Sequence, residues 1–131
     1  HKKWPYFNKL INIIKSKHDS FEIVIAPGPN ELEEARSIDS IAITKNNKPI
    51  NMMELAGLIL KSSYVIANDT GPAHMAAHLG KEGTVLFGHH TSPEKVSIET
   101  EKFKPIVVKD LKDLSPESVY LSVKEKLELI N

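Results

Sequence analysis

The residues best suited to chemistry lie in one short segment, Asn68-Asp69-Thr70-Gly71-Pro72, between an apolar run and a helix-like stretch. Such a strand, turn and helix predict an anion site, because the free amides and positive dipole end of a helix's first turn can hold a pyrophosphate. Thr70 adds a hydroxyl donor, and Gly71 lets the backbone approach a ligand closely because it has no Cβ. His74 lies one turn into the helix and can donate to a phosphate oxygen.

Asp69 needs a different partner, because its carboxylate repels phosphate. Sugar hydroxyls are the preferred partner, and a cation beside the diphosphate is the alternative. An isolated Asp-Thr-Gly run also has a purely structural interpretation, in which Asp69 or Thr70 caps the helix and contributes typically about 1 kcal/mol. The run by itself leaves these interpretations open.

A metal site is the competing use of the histidines in this segment. His78 follows His74 at i+4, a spacing that can hold zinc, but Met75 stands where a metalloprotease has its glutamate, and no third ligand is apparent. We therefore expect no metal here and interpret His78 as a helix-surface or partly packed histidine.

The elements that must position this segment alternate between helices and strands. Apolar residues at helical spacing and suitable first residues predict helices after Pro5, over residues 31–38, after Asn51, over about residues 73–79 and after Ser115-Pro116. Short β-rich runs predict strands over residues 21–26, 41–44, 64–67, 84–87 and 104–108. The polar residues 45–49 predict a loop, and Gly80 is the expected C-cap of the fourth helix.

This alternation over short loops predicts an α/β fold, a Rossmann-like doubly wound parallel sheet with helices on both faces. At 131 residues the chain has the length of one such domain, residues 1–131. Ligands of these folds bind at the carboxyl ends of the strands. The binding loops are therefore expected after Ala26, Thr44, Asn68 and Phe87.

Composition excludes several classes of protein. Lys plus Arg and Asp plus Glu both number 17, so the chain lacks the basic field that gathers nucleic acid. The absence of cysteine excludes disulfides, thiolate metal sites and cysteine nucleophiles, and fits a reducing compartment. No apolar run approaches the roughly 20 residues that span a bilayer, and we expect a cytoplasmic protein. The chain opens with His1 rather than Met, which indicates a fragment without its upstream part.

Longer stretches of the chain resemble one enzyme family. Residues 67–80, followed by residues 85–88, resemble the D-[ST]-G-x-x-H-x-A-A-x-L-G…LFG signature of glycosyltransferase family 9, which contains the lipopolysaccharide heptosyltransferases. Lys2-Lys3-Trp4-Pro5 resembles the family's K-x-W-P element, residues 27–31 its loop from a glycine to a glutamate, and residues 51–56 its helix before the signature. The four matches occur in family order.

The resemblance implies the C-terminal, nucleotide-sugar-binding half of a two-domain GT-B enzyme. Such an enzyme would transfer heptose from ADP-heptose to the lipopolysaccharide inner core with inversion and without a metal or other cofactor. The absent N-terminal half would hold the acceptor and supply the carboxylate base. We therefore nominate no catalytic residue and expect the fragment alone to be inactive. The resemblance also allows peripheral association of the full-length protein with the inner face of the bacterial inner membrane.

The same resemblance implies roles for individual residues. The expected nucleotide-sugar-binding residues are Lys2, Glu31, Asp69, Thr70, Gly71, Pro72 and His74. Lys2 would pair with the diphosphate and Glu31 with the ribose hydroxyls, while Thr70 and Gly71 would bind phosphate and Asp69 the transferred sugar. His74 would help to neutralise the charge that grows on the leaving group.

Structural alternatives exist for three residues near the chain's start. Lys2 can be a solvated terminal lysine, and its assignment depends on the K-x-W-P spacing alone. Glu31 in a helix's first turn would stabilise the helix dipole without any ligand. Trp4 is expected to pack in the core rather than stack on a base.

Two departures from the family pattern bear on the site. The family's domain begins with a strand and a Thr- or Ser-bearing phosphate loop upstream of K-x-W-P, whereas nothing precedes His1 here. One wall of the site and a central strand are therefore expected to be missing. After Phe87-Gly88 the family tends to have a Pro-Thr pair, whereas this chain has His-His-Thr-Ser-Pro at residues 89–93.

Other functions remain open at this point. A GT-B enzyme or epimerase that uses a UDP-sugar would share the diphosphate site, because a helix terminus selects neither base nor sugar. A truncated, non-enzymatic remnant would fold and bind no nucleotide. A response-regulator-like signalling domain would need clustered acidic residues after its first strand, where Pro27-Gly28-Pro29 stands instead.

Overall fold

The computed structural model describes residues 3–28, 31, 41–45, 47–88 and 99–130. Within these ranges the chain forms, in order, α1 (Phe7–Lys17), β1 (Val24–Ile25), β2 (Ile41–Ala42), β3 (Thr44–Lys45), β4 (Lys48–Pro49), α2 (Met52–Lys61), β5 (Val65–Asn68), α3 (Gly71–His78), β6 (Gly83–Phe87), β7 (Phe103–Val107), a short 3-10 helix (Leu111–Asp113) and α4 (Pro116–Ile130). Of the helix predicted over residues 31–38, Glu31 is not helical, and residues 32–38 lie outside the described ranges.

Three parallel strands, in the order β5-β6-β7, form the sheet that carries the candidate site. The central strand, β6, is buried along its whole length, as expected for a parallel strand that is covered on both faces. Gly83 opens β6 because a Cβ there would collide with the Val65 carbonyl oxygen and the Phe103 ring. The sheet therefore needs a glycine where its three strands start.

Helices cover both faces of this sheet. Alternate residues of a strand point to opposite faces, and Leu86 joins a buried cluster with α1 and α4, whereas Val85 and Phe87 join a second cluster with α2 and α3. Burying each of these large apolar side chains contributes roughly 1.5–3 kcal/mol. The arrangement confirms the predicted doubly wound α/β fold.

The two helices on the Leu86 face follow their sequence patterns. Leu10, Ile11 and Ile14 of α1 are buried at the expected helical spacing. The last helix begins at Pro116 as predicted, and the Ser115 Oγ accepts a hydrogen bond from the Ser118 amide at 3.1 Å. This bond is the expected N-terminal cap.

The region before α2 differs from its prediction. β1 pairs with β2 in parallel, and β3 pairs with β4 antiparallel, so the predicted polar loop over residues 45–49 is wrong: it contributes to a hairpin. Asn47 has a φ of 61°, a left-handed conformation that asparagine tolerates better than most residues. The strand predicted over residues 21–26 is shorter, Val24–Ile25.

The start of α2 confirms the predicted cap at Asn51 and adds a reciprocal bond. The Asn51 Oδ1 accepts from the Glu54 amide at 2.8 Å, and the Glu54 Oε1 accepts from the Asn51 amide at 2.9 Å. The apolar spacing that predicts α2 from Met52, Leu55, Ala56, Ile59 and Leu60 corresponds only in part to its buried face, because Ile59 is buried while Met52 and Leu60 are exposed. Within the described ranges, no helix combines the length and apolarity needed to cross a membrane.

Candidate functional site

The Asp-Thr-Gly segment lies at the carboxyl end of β5, where ligands of doubly wound sheets bind. β5 ends at Asn68 and α3 begins at Gly71, so Asp69 and Thr70 form the turn between them. Three small side chains hold α3 against the sheet, because Ala73, Ala76 and Ala77 share one buried face of the helix. The first turn of α3 is thereby fixed beside the end of the strand.

Thr70 is the N-cap residue of α3, with φ −144° and ψ 175°. Its carbonyl oxygen accepts the first helical bond, from the His74 amide at 3.2 Å. Within the described ranges its side chain makes no capping bond. The hydroxyl instead donates to the Asn68 carbonyl oxygen over 3.3 Å. The structural interpretation of Thr70 as a side-chain cap is therefore wrong, and its exposed hydroxyl is held by one long bond.

The first turn of α3 presents a backbone donor at an exposed surface. First-turn amides have no partner within their own helix, but Pro72 carries no amide hydrogen and Ala73 is fully buried, so the exposed donor is the amide of Gly71. Apart from its chain neighbours and the backbone of its own helix, no described heavy atom lies within 4 Å of the position that a Cβ on Gly71 would take. Packing against other parts of the described chain therefore does not require glycine at this position, and the absence of a Cβ leaves room for a ligand to approach the backbone.

Asp69 and His74 lie side by side at this turn. The Asp69 side chain is 8% exposed and the His74 side chain 36% exposed, and the Asp69 Oδ1 lies 3.7 Å from the His74 Nε2. This separation is beyond a hydrogen bond but close enough for charge attraction when the ring is protonated. A buried carboxylate and a half-exposed imidazole thus flank the helix start.

Glu31 forms a second group with Gly28 and Lys3. The Glu31 Oε1 accepts from the Gly28 amide at 2.7 Å, and the Glu31 Oε2 lies 3.3 Å from the Lys3 Nζ. The K-x-W-P spacing selects Lys2 as a partner of the diphosphate, and Lys2 lies outside the described residues. That spacing assigns no role to Lys3, the lysine that contacts Glu31.

Trp4 connects the two groups. Its backbone amide donates to the Asn68 Oδ1 at 2.8 Å, and its indole Nε1 donates to the Leu114 carbonyl oxygen at 2.8 Å. The side chain is 1% exposed, which confirms that Trp4 packs in the core. The Lys3-Trp4 segment thus contacts the end of β5 on one side and Glu31 on the other. Asn68 was missed as a site-building residue because its partner is 64 positions away.

The structure therefore brings the predicted residues together in two sets. Asp69, Thr70, Gly71, Pro72 and His74 share the β5–α3 turn, and Glu31 joins them through Lys3-Trp4. Among the described residues, no three His, Cys, Asp or Glu side chains are placed to hold a metal ion.

An open cavity lies on the Lys3 side of the site. It has a volume of about 310 Å³ and is lined by Lys3, Pro5, Tyr6, Asp110, Leu111 and Lys112. The β5–α3 turn does not line it, because the donors of that turn are presented on an exposed edge. The candidate site is therefore the β5–α3 turn and not this cavity.

The amino-acid sequence of the chain matches one known protein family. The model of glycosyltransferase family 9 (heptosyltransferase) matches residues 1–122 of the 131-residue chain. The chain belongs to glycosyltransferase family 9. No curated protein matches this family 9 chain.

Solved structures match the fold of this family 9 member. E. coli heptosyltransferase WaaC with ADP matches with a TM-score of 0.79 and 20% identity over 97% of this chain and 40% of that chain. The same enzyme with ADP-2-deoxy-2-fluoro heptose gives 0.81 and 20% over 95% and 39%. E. coli ADP-heptose lps heptosyltransferase II gives 0.76 and 18% over 98% and 43%. These matches confirm a Rossmann-like fold of the GT-B type, and the family 9 chain spans about two fifths of each match.

Proposed function

We propose that residues 1–131 form the donor-binding domain of an inverting glycosyltransferase that transfers heptose from ADP-heptose to the lipopolysaccharide inner core. The observation that carries this proposal is the β5–α3 turn, a helix start that the Thr70 side chain does not cap and that Asp69 and Gly71 flank, in a chain that the heptosyltransferase family model matches. Similar structures that contain ADP and an ADP-heptose analogue support a nucleotide-sugar donor.

The diphosphate would bind at the first turn of α3. The exposed amide of Gly71 points along the helix axis, and the dipole adds partial positive charge there. The Thr70 hydroxyl can exchange its 3.3 Å bond to Asn68 for a charge-assisted bond to phosphate, which is shorter and stronger. Lys2 would add a full positive charge, and Pro72 would complete the phosphate-binding turn as its second helical residue.

The transferred sugar and the leaving diphosphate would interact with Asp69 and His74, which lie next to the first turn of α3. Asp69 is acceptor-only when ionised, so it suits the hydroxyls of the transferred sugar rather than the phosphates. A protonated His74, 3.7 Å from that carboxylate, would lower the energy of the negative charge that develops on the departing ADP. In this scheme the protein supplies the neutralising charge, and no metal is needed.

The remaining chemistry would come from the rest of the enzyme. Inversion needs a base on the face of the sugar opposite the diphosphate, and we assign the base and the acceptor site to the N-terminal domain. The chain spans about two fifths of the matched structures, so we expect it to bind the donor and to have no transferase activity alone. The complete enzyme would work in the cytoplasm, associated peripherally with the inner face of the bacterial inner membrane.

Calorimetric titration with ADP, UDP and ADP-heptose tests this function. We expect ADP to bind more tightly than UDP, and His74→Ala to weaken ADP binding several-fold. Asp69→Asn should abolish the advantage of ADP-heptose over ADP while leaving ADP affinity within about threefold, a change of less than 1 kcal/mol. His78→Ala is the matched control, because His78 is an exposed histidine at the other end of the same helix.

The outcomes separate the alternative functions. Preference for UDP would indicate a UDP-sugar enzyme or epimerase on the same fold. Circular dichroism verifies folding of each variant. A folded protein that binds neither nucleotide would contradict the proposal and indicate a non-enzymatic remnant.

A further inference from the structure

Lys3 forms an ion pair that the proposed donor site does not use. Its Nζ lies 3.3 Å from the Glu31 Oε2, and the two side chains are 43% and 41% exposed. An exposed ion pair of this kind contributes little to folding stability, because solvent screens both charges. The main effect of this ion pair is therefore on the orientation of the Glu31 carboxylate.

The position of Lys3 is fixed by its neighbour in the chain. Trp4 is buried, its backbone amide donates to Asn68, and its indole donates to Leu114, both at 2.8 Å. These bonds hold the backbone next to Lys3 against the end of β5. The lysine stem therefore begins at a defined point, which reduces the conformational freedom lost when its ammonium group meets Glu31.

Glu31 keeps acceptor capacity for a ligand while it is held in place. A carboxylate offers about four lone-pair positions, two on each oxygen. The Gly28 amide takes one position on Oε1, and Lys3 takes one on Oε2. Among the described residues, about one position then remains on each oxygen, which matches the two adjacent hydroxyl donors of a ribose.

We infer that Lys3 is a positioning residue that orients the Glu31 carboxylate for the 2′- and 3′-hydroxyls of the donor ribose. Lys3 acts through Glu31 and does not touch the nucleotide. A carboxylate that is ordered before binding loses less freedom when the ribose arrives, so its two hydrogen bonds contribute more to affinity. This inference rests on the function proposed above, and it concerns the selectivity for ribose rather than the binding of phosphate.

The test compares ADP with 2′,3′-dideoxy-ADP, which lacks both hydroxyls. The measured quantity, for each variant of the protein, is the dissociation constant of 2′,3′-dideoxy-ADP divided by that of ADP. We expect Lys3→Met to reduce this ratio by about two- to fivefold, the range of an exposed ion pair, and Lys3→Arg to restore it. Glu31→Gln should reduce the ratio further. Adding Lys3→Met to Glu31→Gln should change nothing more, because the lysine acts through the carboxylate.

Lys126→Met is the matched control. Lys126 pairs with Glu82 at 3.7 Å, with side chains 53% and 44% exposed, and Glu82 directly precedes β6, at the amino end of the strand and away from the candidate site at the carboxyl end of β5. Removing this charge should leave the ratio unchanged. Emission from Trp4, which is the single tryptophan of the chain, verifies that each variant keeps the segment packed.

Three results would overturn the inference. An equal loss of affinity for both nucleotides in Lys3→Met would mean that Lys3 acts on the diphosphate. An unchanged ratio would mean that the ion pair has no part in recognition, and a larger ratio would mean that Lys3 competes with the ribose. If the wild-type protein binds no ADP, the proposed function fails together with the inference. If ADP binds but the ratio does not respond to Lys3→Met, only the inference fails.

Discussion

The chain builds two strand-to-helix turns in different ways. At the start of α2, the side chains of Asn51 and Glu54 bond reciprocally to the backbone of the first turn. At the start of α3, the Thr70 hydroxyl donates to the carbonyl oxygen of Asn68, which precedes the helix. The carbonyl oxygen of Thr70, and not its side chain, accepts a bond from the helix, donated by the His74 amide. A helix start that is closed by its own side chains is structural, whereas one that is left open can receive an anion.

The two helix starts differ in the residue at the third helical position. Glu54 at that position of α2 reaches back to the N-cap amide, which completes a capping box. The corresponding residue of α3 is Ala73, which is fully buried against the sheet and has no side-chain acceptor. The small residues that hold α3 close to the sheet thus also leave its first turn without a capping box. One set of residues therefore serves both packing and the proposed ligand site.

Filling the space before the first turn of α3 should have the largest effect on ADP affinity. Gly71→Val places branched carbon atoms in the space before the first turn, where a Cβ now meets no described atom within 4 Å. We expect the melting temperature to be unchanged or slightly raised, because valine is a better helix former than glycine. ADP affinity, measured by calorimetry, should fall more than about tenfold, at least 1.4 kcal/mol.

Gly57→Val is the control for this change. Gly57 lies inside α2, and a Cβ there also meets no described atom within 4 Å. The variant should bind ADP like the wild type. Comparable loss of binding in both variants would show that the effect does not come from the open start of α3.

Removing the Thr70 hydroxyl should separate binding from stability. Because this side chain does not cap α3, Thr70→Ala should leave the free energy of unfolding within a few tenths of a kcal/mol. Its proposed bond to phosphate would be lost, which should weaken ADP binding by about 1 kcal/mol, or roughly fivefold. Urea unfolding and ADP titration measure the two quantities. A stability loss as large as that of a lost cap would contradict the open-start interpretation.

The closed start should respond in the opposite way. Asn51→Ala removes the acceptor for the Glu54 amide, which lies 2.8 Å from the Asn51 Oδ1. We expect a loss of about 1 kcal/mol in the free energy of unfolding and unchanged ADP affinity. Asn51→Ser, which retains a capping oxygen, should recover most of the loss. Weaker ADP binding in Asn51→Ala would show that α2 also contributes to the site.

The comparison also shows which parts of the molecule local sequence could predict. Helix starts depend on a few adjacent residues, so Asn51, Ser115-Pro116 and the turn after β5 were recognisable from residue type and spacing. The hairpin over β3 and β4 was missed, because a polar run with two asparagines is equally typical of a loop.

The contact between Lys3 and Glu31 was beyond local sequence. The position of Lys3 depends on Trp4, whose bonding partners lie 64 and 110 positions away. A linear pattern carries no information on such contacts. The K-x-W-P spacing therefore gave no indication that Lys3 contacts Glu31, and its assignment of Lys2 to the diphosphate stays a prediction. Residue roles that depend on long-range packing needed the folded structure.

The smallest expected effect is a pH dependence of the closed start. The Asn51 amide and the Lys45 ammonium both bond to the Glu54 carboxylate and lower its pKa from the ordinary value of 4.5. The native state thus binds this proton less readily than the unfolded state, so the stabilisation is complete above the ordinary pKa and is lost as pH falls through the lowered native value. Thermal unfolding between about pH 3 and pH 6, a range that includes the ordinary glutamate pKa, should show a steeper acid loss for wild type than for Glu54→Gln. Equal slopes would mean that the ionised carboxylate does not close this helix start, and the contrast with α3 would then depend on the Asn51 side chain alone.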